Sequence, residues 1–187
     1  MVKATKTGLD WLYIRDPKLQ HHKIEGSTIR LMASKADISQ GREPVTFVGK
    51  RQRKLDGTAS VRLALPKTGS SRAGLVIYKD EHRYTRIYYD SSNKAICFEV
   101  VNNAKKISRH NQEKNSNDTS DVRLLIKYTE DKLVFQYEEE EGVVKTLGVV
   151  DTAELSNADF VGPVIGVFAV SEQENEEVVF TNFEHEQ

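Results

Sequence analysis

The chain alternates apolar and polar residues over short segments, which are separated by Gly, Asn, Asp, Ser and charged residues. Successive side chains of a β-strand point to opposite faces, so this alternation predicts half-buried strands joined by turns. Helical periodicity is nearly absent. The predicted strands lie near residues 11–14, 28–33, 45–52, 58–65, 73–79, 83–89, 95–102, 105–109, 122–128, 132–137, 143–149, 164–170 and 178–183.

So many strands exceed what one open twisted sheet usually holds, and we expect two sheets stacked through their apolar sides. In the segment 58–65, Val61 and Leu63 fall on the predicted buried side and Arg62 on the opposite side. Residues 164–170 are apolar on both sides, which indicates a central strand with both faces covered. The predicted fold class is therefore all-β, a two-sheet β-sandwich or jelly roll.

The segments between the strands carry their own predictions. The dipeptide 130–131 predicts a tight hairpin turn. Residues 111–120 are polar without an apolar anchor, which predicts a loop, and the four consecutive acids 138–141 predict a solvated hairpin tip. Residues 151–161 are expected to hold one helical turn with Thr152 as its cap.

Length and composition limit the classes of function. The 187 residues are 38% hydrophobic and 29% charged, which suits one compact domain over residues 1–187. Lys and Arg number 27 against 28 Asp and Glu, so the net charge of −1 gives no global field for nucleic acid or an anionic membrane. No apolar stretch is long enough to cross a bilayer, and no apolar segment follows the basic N-terminus. We therefore expect a cytoplasmic protein, unless the chain is a fragment of a secreted enzyme.

The motifs of familiar catalytic sites are missing from the chain. In laminarinase-like retaining enzymes, which are jelly rolls, the two catalytic carboxylates lie on the same face of one strand. The acidic run 138–141 lies instead at a predicted turn, and the run 172–177 lies between two predicted strands. There is no Gly-x-Ser-x-Gly elbow and no zinc-binding histidine spacing, and the single Cys97 sits in a strand as a small buried residue. A small jelly-roll hydrolase or lyase would have to use unpatterned acids such as Asp90 or Glu99.

One predicted strand carries polar aromatic side chains on a single face. Tyr84, Arg86 and Tyr88 share this face because they are two residues apart. Flat rings stack on the C–H side of a pyranose and Arg donates to hydroxyls, so these groups suit sugar recognition. The alternative is structural, because tyrosine is common in strands and Arg pairs with acids across a sheet.

Several ordered segments carry a family resemblance. They are residues 9–17 (LDWLYIRDP), 26–31 (GSTIRL), 47–52 (FVGKRQ), 58–63 (TASVRL), 73–80 (AGLVIYKD), 84–89 (YTRIYY), 155–156 (LS), 159–168 (DFVGPVIGVF) and 180–183 (FTNF). In this order they resemble the C-terminal concanavalin A-like module of family 43 glycoside hydrolases, the β-xylosidases and arabinofuranosidases. The resemblance spans nearly the whole chain.

The resemblance implies a concanavalin A-like jelly roll with one concave face. In the family the catalytic acids lie on a separate five-bladed propeller, usually N-terminal to this module, and the present chain has no such propeller. It therefore implies a non-catalytic accessory module that packs on a propeller or binds a xylan- or arabinan-type oligosaccharide. A purely structural domain that docks a propeller or a second copy of itself is the alternative.

We place the predicted carbohydrate-binding surface on the concave sheet, with Tyr84 or Tyr88 as stacking platform and Arg86, Arg62 and Glu99 bonding hydroxyls. The full predicted set is Arg51, Gln52, Arg62, Tyr84, Arg86, Tyr88 and Glu99. The competing interpretation is a buried polar network in which Arg62, Arg86 and Glu99 neutralise one another beneath a covering loop or a partner domain.

Calcium is the one cofactor that we consider, and ordinary surface acids are the simpler interpretation. Modules of this kind often join their termini through a calcium ion held by carboxylates and carbonyls. The acids near the two ends of the chain are Asp10, Asp16, Glu25, Glu184 and Glu186.

Overall fold

The structure is a computed structural model that describes residues 10–67, 69–115, 119–156, 162–173 and 175–187. The described residues form fourteen strands, a short 3₁₀ turn (Leu19–His21) and one helical turn, α1 (Thr152–Leu155). The strands are β1 (Leu12–Tyr13), β2 (His22–Glu25), β3 (Thr28–Met32), β4 (Phe47–Arg51), β5 (Gly57–Ala64), β6 (Ser71–Asp80), β7 (Arg83–Asp90), β8 (Ala95–Asn102), β9 (Ile107–Lys114), β10 (Asp121–Tyr128), β11 (Lys132–Glu140), β12 (Val143–Asp151), β13 (Val164–Ser171) and β14 (Glu177–Glu186).

The strands form two seven-stranded sheets. The first sheet has the order β1-β4-β13-β6-β7-β8-β9 and the second has the order β12-β11-β10-β5-β14-β3-β2. The strand pairs within both sheets are antiparallel. This confirms the predicted all-β, two-sheet sandwich. No helix in the described ranges is long and apolar enough to cross a membrane.

The main core lies between the two sheets and follows the predicted alternation. Val61 and Leu63 on β5 are fully buried in it, whereas Arg62 between them points away. Phe98 of the first sheet packs on Phe135 of the second, with ring centroids 5.3 Å apart. These contacts hold the two sheets face to face.

A second apolar cluster covers the outer face of the first sheet. Residues 33–46, here called the strap, cross this face, and Ala36, Ile38 and Val45 of the strap pack on it. Every residue of β13 is buried, so the prediction of a central strand covered on both faces is confirmed. The strap is the element that covers the outer side.

Residues 111–114 correct the predicted loop, because they continue β9 and pair with β8. This strand is polar because it is an edge strand whose backbone pairs on one side only. Asn111 Nδ2 donates to the carbonyl of Leu147 at 3.0 Å, and Arg109 donates to that of Val149 at 3.4 Å. The polar residues of β9 thus bond backbone groups of β12, the neighbouring edge strand. Residues 116–118 of the predicted loop lie outside the described residues.

Two other local predictions are partly corrected. The acids 138–141 were predicted as a hairpin tip, but β11 runs through Glu140 and the turn begins only at Glu141. The predicted helical turn is present as α1, where Asp151 rather than Thr152 takes the capping position, without a side-chain capping bond. Residues 157–161 of that prediction lie outside the described residues.

Candidate functional site

Arg86 is the centre of the predicted site and lies on β7, on the outer face of the first sheet. Its side chain is 3% exposed. Its Nε donates to Glu99 Oε2 at 2.7 Å, and its Nη1 and Nη2 donate to the two oxygens of Asp37 at 2.7 and 3.1 Å. Glu99 faces Arg86 across the β7–β8 pair, whereas Asp37 comes from the strap. Arg86 therefore joins two strands and the strap through charge-assisted bonds.

Three aromatic rings surround the Arg86 guanidinium. Its central carbon lies 4.8 Å from the ring centroid of Tyr88, 4.9 Å from that of Phe168 and 5.2 Å from that of Tyr84. A guanidinium at these distances is attracted by the negative faces of the rings. The tyrosines predicted to stack on a sugar instead contact the protein's own arginine.

Charge pairing decides the protonation states in this cluster. Burial acts to raise the pKa of Asp37, but Arg86 and the nearby Arg72 outweigh it and hold this pKa below its ordinary value. Burial likewise acts to lower the pKa of Arg86, while Asp37 and Glu99 raise it above its ordinary value. Burial also raises the pKa of Tyr84 to about 12. Arg86 and Asp37 are thus an ion pair that stays charged across the physiological pH range.

The strap closes the predicted stacking platform. Tyr84 is 4% exposed and Tyr88 is 5% exposed, so neither ring offers a free face to a pyranose. The pairing of Arg86 with Glu99 agrees with the buried-network interpretation. Asp37 was missed by the sequence analysis, although an acid between two apolar residues, Ala36 and Ile38, is an unusual pattern outside a strand.

Arg62 does not belong to this cluster, and its predicted placement there is wrong. It lies on β5 of the second sheet, where its Nη1 contacts Asp121 Oδ1 at 2.6 Å. Alternation shows that Arg62 points away from the core, but it does not show which of the two sheets carries it. The two arginines therefore lie on opposite outer faces of the sandwich.

Arg51 and Gln52 lie near the first sheet's other edge. Arg51 is opposite Val164, and this row continues to Tyr78 and then Tyr84, so three strand spacings, roughly 14 Å, separate Arg51 from Tyr84. The Arg51 guanidinium donates to the carbonyl of Gly162 at 3.3 Å, and the Gln52 amide donates to that of Lys54 at 2.9 Å. Both side chains bond loops at the end of the sheet rather than the Arg86 cluster.

A charged groove, which sequence reasoning missed, lies on the outer face of the second sheet. It has a volume of about 670 Å³. Arg62 and Arg123 are directly opposite each other on β5 and β10. Arg123 lies 3.6 Å from Glu138, an acid that also lines the groove together with Glu184. The acids offset the repulsion between the two adjacent arginines.

A second depression, the strap cleft, lies beside the strap and has a volume of about 650 Å³. Its walls come from the 3₁₀ turn, the end of β3, the strap and the turn before β14. Small residues of the strap, Ala33 and Ala36, form part of its buried floor. Sequence reasoning missed this cleft because its walls come from four separate parts of the chain.

The acids considered for calcium are not gathered into one place. Asp10 pairs with Arg53 at 2.7 Å, and Glu25 pairs with Lys23 at 3.2 Å. Within the described ranges there is no group of three or more His, Cys, Asp or Glu residues that could hold a metal ion. The calcium prediction therefore has no cluster of ligands in this part of the chain.

Comparison with known proteins identifies the module. Residues 3–186 match the family described as the β-xylosidase C-terminal concanavalin A-like domain. The chain belongs to this family. The match includes both sheets and the strap, and the resemblance of the sequence to this module is confirmed. The comparison with curated protein sequences finds no match.

Solved structures share the fold of this chain. The xyloglucan PUL GH43B of Bacteroides ovatus has a TM-score of 0.80 at 24% identity, over 95% of this chain and 36% of that chain. The xylan β-1,4-xylosidase of Bacillus halodurans C-125 has a TM-score of 0.81 at 15% identity, over 98% of this chain and 38% of that chain. A functionally unknown protein from Saccharomyces cerevisiae has a TM-score of 0.69 at 14% identity, over 94% of both chains.

This concanavalin A-like domain thus spans a little over a third of the two bacterial chains, at 36% and 38%. Its predicted aromatic face is closed by its own strap. The charged groove and the strap cleft are open depressions on different parts of the domain.

Proposed function

We propose that this chain is a non-catalytic accessory module that packs against the catalytic propeller of a family 43 glycoside hydrolase. The observation that carries the proposal is the closure of the Arg86 cluster. A surface built to stack sugars needs exposed rings, whereas Tyr84 and Tyr88 are buried and all three nitrogens of the Arg86 guanidinium bond carboxylates. Such a network supports a fixed shape, which suits a docking module.

The relatives support the same proposal. The Bacillus halodurans protein is a xylan β-1,4-xylosidase, and the present chain corresponds to 38% of its length. The rest of such an enzyme contains the propeller that the resemblance assigns to catalysis. A partner of this class would supply the reaction, while this chain would supply a packing surface. Binding of an oligosaccharide by the predicted site residues stays a prediction.

The enzymatic alternative has weak geometric support. Glu99 faces Arg86 on β7, and Asp90 lies four positions beyond Arg86 on this strand, so the backbones of Arg86 and Asp90 are roughly 13 Å apart. Glycoside hydrolases hold their two carboxyl groups about 5 to 9.5 Å apart. Glu99 also accepts a bond from the Arg86 guanidinium, and Asp90 accepts bonds from the backbone of Ser92 and Asn93. These partners favour structural roles for both acids.

An activity assay tests the non-catalytic part of the proposal. The purified chain should release no sugar from xylo-oligosaccharides or aryl xylosides above the rate without protein. Glu138→Gln and Glu184→Gln variants serve as matched controls, because these acids line the open charged groove. Hydrolysis at an enzyme-like rate that either substitution abolishes would refute the proposal and place a catalytic site in the groove.

A chimera tests the packing part. This chain would replace the corresponding module of the Bacteroides ovatus protein, to which it is 24% identical. We expect the chimera to melt at a higher temperature than the same propeller expressed without any module, because a docked partner stabilises the native state. The unmodified enzyme provides the upper reference. Independent melting of the two parts, with no gain for the propeller, would contradict packing.

A further inference from the structure

The strap cleft has a floor that is fixed by hydrogen bonds. Ser34 Oγ donates to the carbonyl of Ala36 at 2.7 Å and accepts the backbone N–H of Thr46 at 3.0 Å. Thr46 Oγ1 donates to the carbonyl of Met32 at 2.7 Å. These bonds tie both ends of the strap to each other and to β3, so the cleft is a preformed feature of the fold.

Part of the floor is formed by buried apolar residues. Ala33, Ala36 and Val45 are buried and line the cleft. The volume of about 650 Å³ falls in the range that small-ligand sites usually have.

The rim carries positive charge and side-chain amides. Two lysines, Lys18 and Lys35, line the cleft together with one acid, Glu43. Burial and then Lys18 lower the pKa of His21, so the lysines supply the positive charge and His21 supplies a ring N–H. Gln40, Gln173 and Asn175 line other parts of the rim. A cation favours a carboxylate, and amides both donate to and accept from hydroxyl groups.

We propose that the strap cleft binds a carboxylate-bearing sugar, namely a uronic acid unit of an oligosaccharide. The carboxylate contacts Lys18 and His21, the hydroxyls bond the amides of Gln40 and Gln173, and the C–H face of the ring rests on the alanine floor. The choice of a sugar as the ligand rests on the proposed function, whereas the preference for a carboxylate rests on the charge of the rim.

A calorimetric titration of the 187-residue chain tests the preference. The probes are a xylo-oligosaccharide that carries glucuronic acid and a neutral xylo-oligosaccharide with the same backbone length. We expect the acidic oligosaccharide to bind at least about tenfold more tightly, as one charge-assisted hydrogen bond provides. Equal affinities, or no binding of either probe, would overturn the proposal.

Two smaller anions distinguish a sugar site from a general anion site. Free glucuronate and inorganic phosphate are titrated under the same conditions. Both should bind more weakly than the acidic oligosaccharide, because they lack contacts along the amide rim. Phosphate that binds as tightly as the oligosaccharide would show attraction to anions alone and would overturn the assignment to a sugar.

Substitution locates the ligand. Lys18→Glu should remove the preference for the acidic oligosaccharide, and Lys127→Glu makes the same charge change at an exposed position on β10 and should retain it. The NMR resonances of the His21 ring should shift during the titration. A preference that survives Lys18→Glu, or binding that leaves His21 unshifted, would place the ligand elsewhere and overturn the proposal.

These outcomes are separate from those of the proposed function. If the chain binds no oligosaccharide but stabilises the propeller in the chimera, only the proposal of a ligand in the strap cleft is refuted. If the chain hydrolyses the probes, the proposal of a non-catalytic accessory module is refuted, whatever the affinity of the cleft.

Discussion

The carboxylate of Asp37 bonds both terminal nitrogens of Arg86, a residue 49 positions further along the chain, at 2.7 and 3.1 Å. Asp37 lies on the strap and Arg86 lies on β7, so this pair attaches the strap to the outer face of the first sheet. The backbone N–H of Ile38 donates to the same carboxylate at 2.7 Å and fixes its orientation. The contact closes a surface that the alternation pattern alone would leave open.

Loss of Arg86 should destabilise the fold strongly. Arg86→Ala removes the only guanidinium bonded to both Asp37 and Glu99 among the described residues and leaves two acids without it. Breaking a buried ion pair in this way costs about 3–5 kcal/mol of unfolding free energy. Urea denaturation followed by fluorescence measures the change.

The matched control for this substitution is Arg62→Ala. Arg62 is also paired to an acid, but its side chain is 38% exposed, so the loss should lie within about 1 kcal/mol. Arg86→Lys should recover little of the unfolding free energy that Arg86→Ala loses, because an ammonium group does not bond two carboxylates in the planar geometry of a guanidinium. Similar small losses for Arg86→Ala and Arg62→Ala would show that the Arg86 network contributes little to stability.

Gly148 on β12 makes room for a ring of the opposite sheet. A Cβ atom at this position would lie 2.5 Å from the ring of Phe98, which also packs on Phe135. Gly148→Ala should therefore cost about 1–3 kcal/mol through overpacking. Gly41→Ala is the control, because its Cβ would meet only the flexible side chain of Glu81. Thermal or urea denaturation compares the two variants.

The origin of this loss can be tested with a smaller partner. Phe98→Leu should cost less in the Gly148→Ala background than in the parent chain, since the two positions compete for the same space. Additive effects of the two substitutions would mean that the ring of Phe98 does not cause the loss.

The polar face of β9 should protect the edge of the second sheet. Replacing Asn111 and Arg109 by alanine removes the donors to the carbonyls of Leu147 and Val149. Each lost hydrogen bond should cost about 0.5–1.5 kcal/mol, and the exposed edge should promote association. Light scattering over a range of concentrations measures the association. His110→Ala, at an exposed position of the same strand, should remain like the parent, and association that is equal in both variants would refute the protective role.

His22 should make stability depend on pH. Its Nε2 accepts the backbone N–H of Phe47 at 3.2 Å, so its Nδ1 carries the proton and donates to the carbonyl of Lys18 at 2.9 Å. Burial is the main reason that the pKa of His22 lies below 6.5. The unfolded chain then binds this proton more readily than the folded chain. The contribution of neutral His22 to the free energy of unfolding is therefore complete above pH 6.5. It decreases as the pH falls from there towards the folded-state pKa.

Unfolding free energies at about pH 7.5 and about pH 5.5 test this prediction. His22→Gln retains an acceptor for Phe47 without a titrating ring, and its stability should change less between the two pH values. His110→Gln, at an exposed position of β9, is the control for replacing a histidine by glutamine. His185, whose pKa is also lowered by burial, contributes to the parent as well, so the difference between variants is the informative quantity. An identical pH dependence for His22→Gln and the parent would contradict the role of His22.

The local pattern of apolar and polar residues was enough to predict most of the strands and the faces that they bury. Val61 and Leu63 alternate with Arg62, and the structure buries the first two and leaves the third outside. The strand 164–170 was expected to be covered on both sides because its apolar residues do not alternate, and β13 is buried throughout. The polar strand at 111–114 escaped prediction because a regular edge strand needs only backbone pairing and no apolar side.

Alternation along the sequence therefore determined the sandwich and the orientation of each side chain relative to its own sheet, since the direction of a side chain follows from its position in the strand. Only the tertiary structure decided which sheet carries each strand, and thereby separated Arg62 from Arg86. It also decided that the strap crosses Tyr84 and Tyr88 and brings Asp37 to Arg86, because such contacts join residues far apart in the sequence and leave no local periodicity.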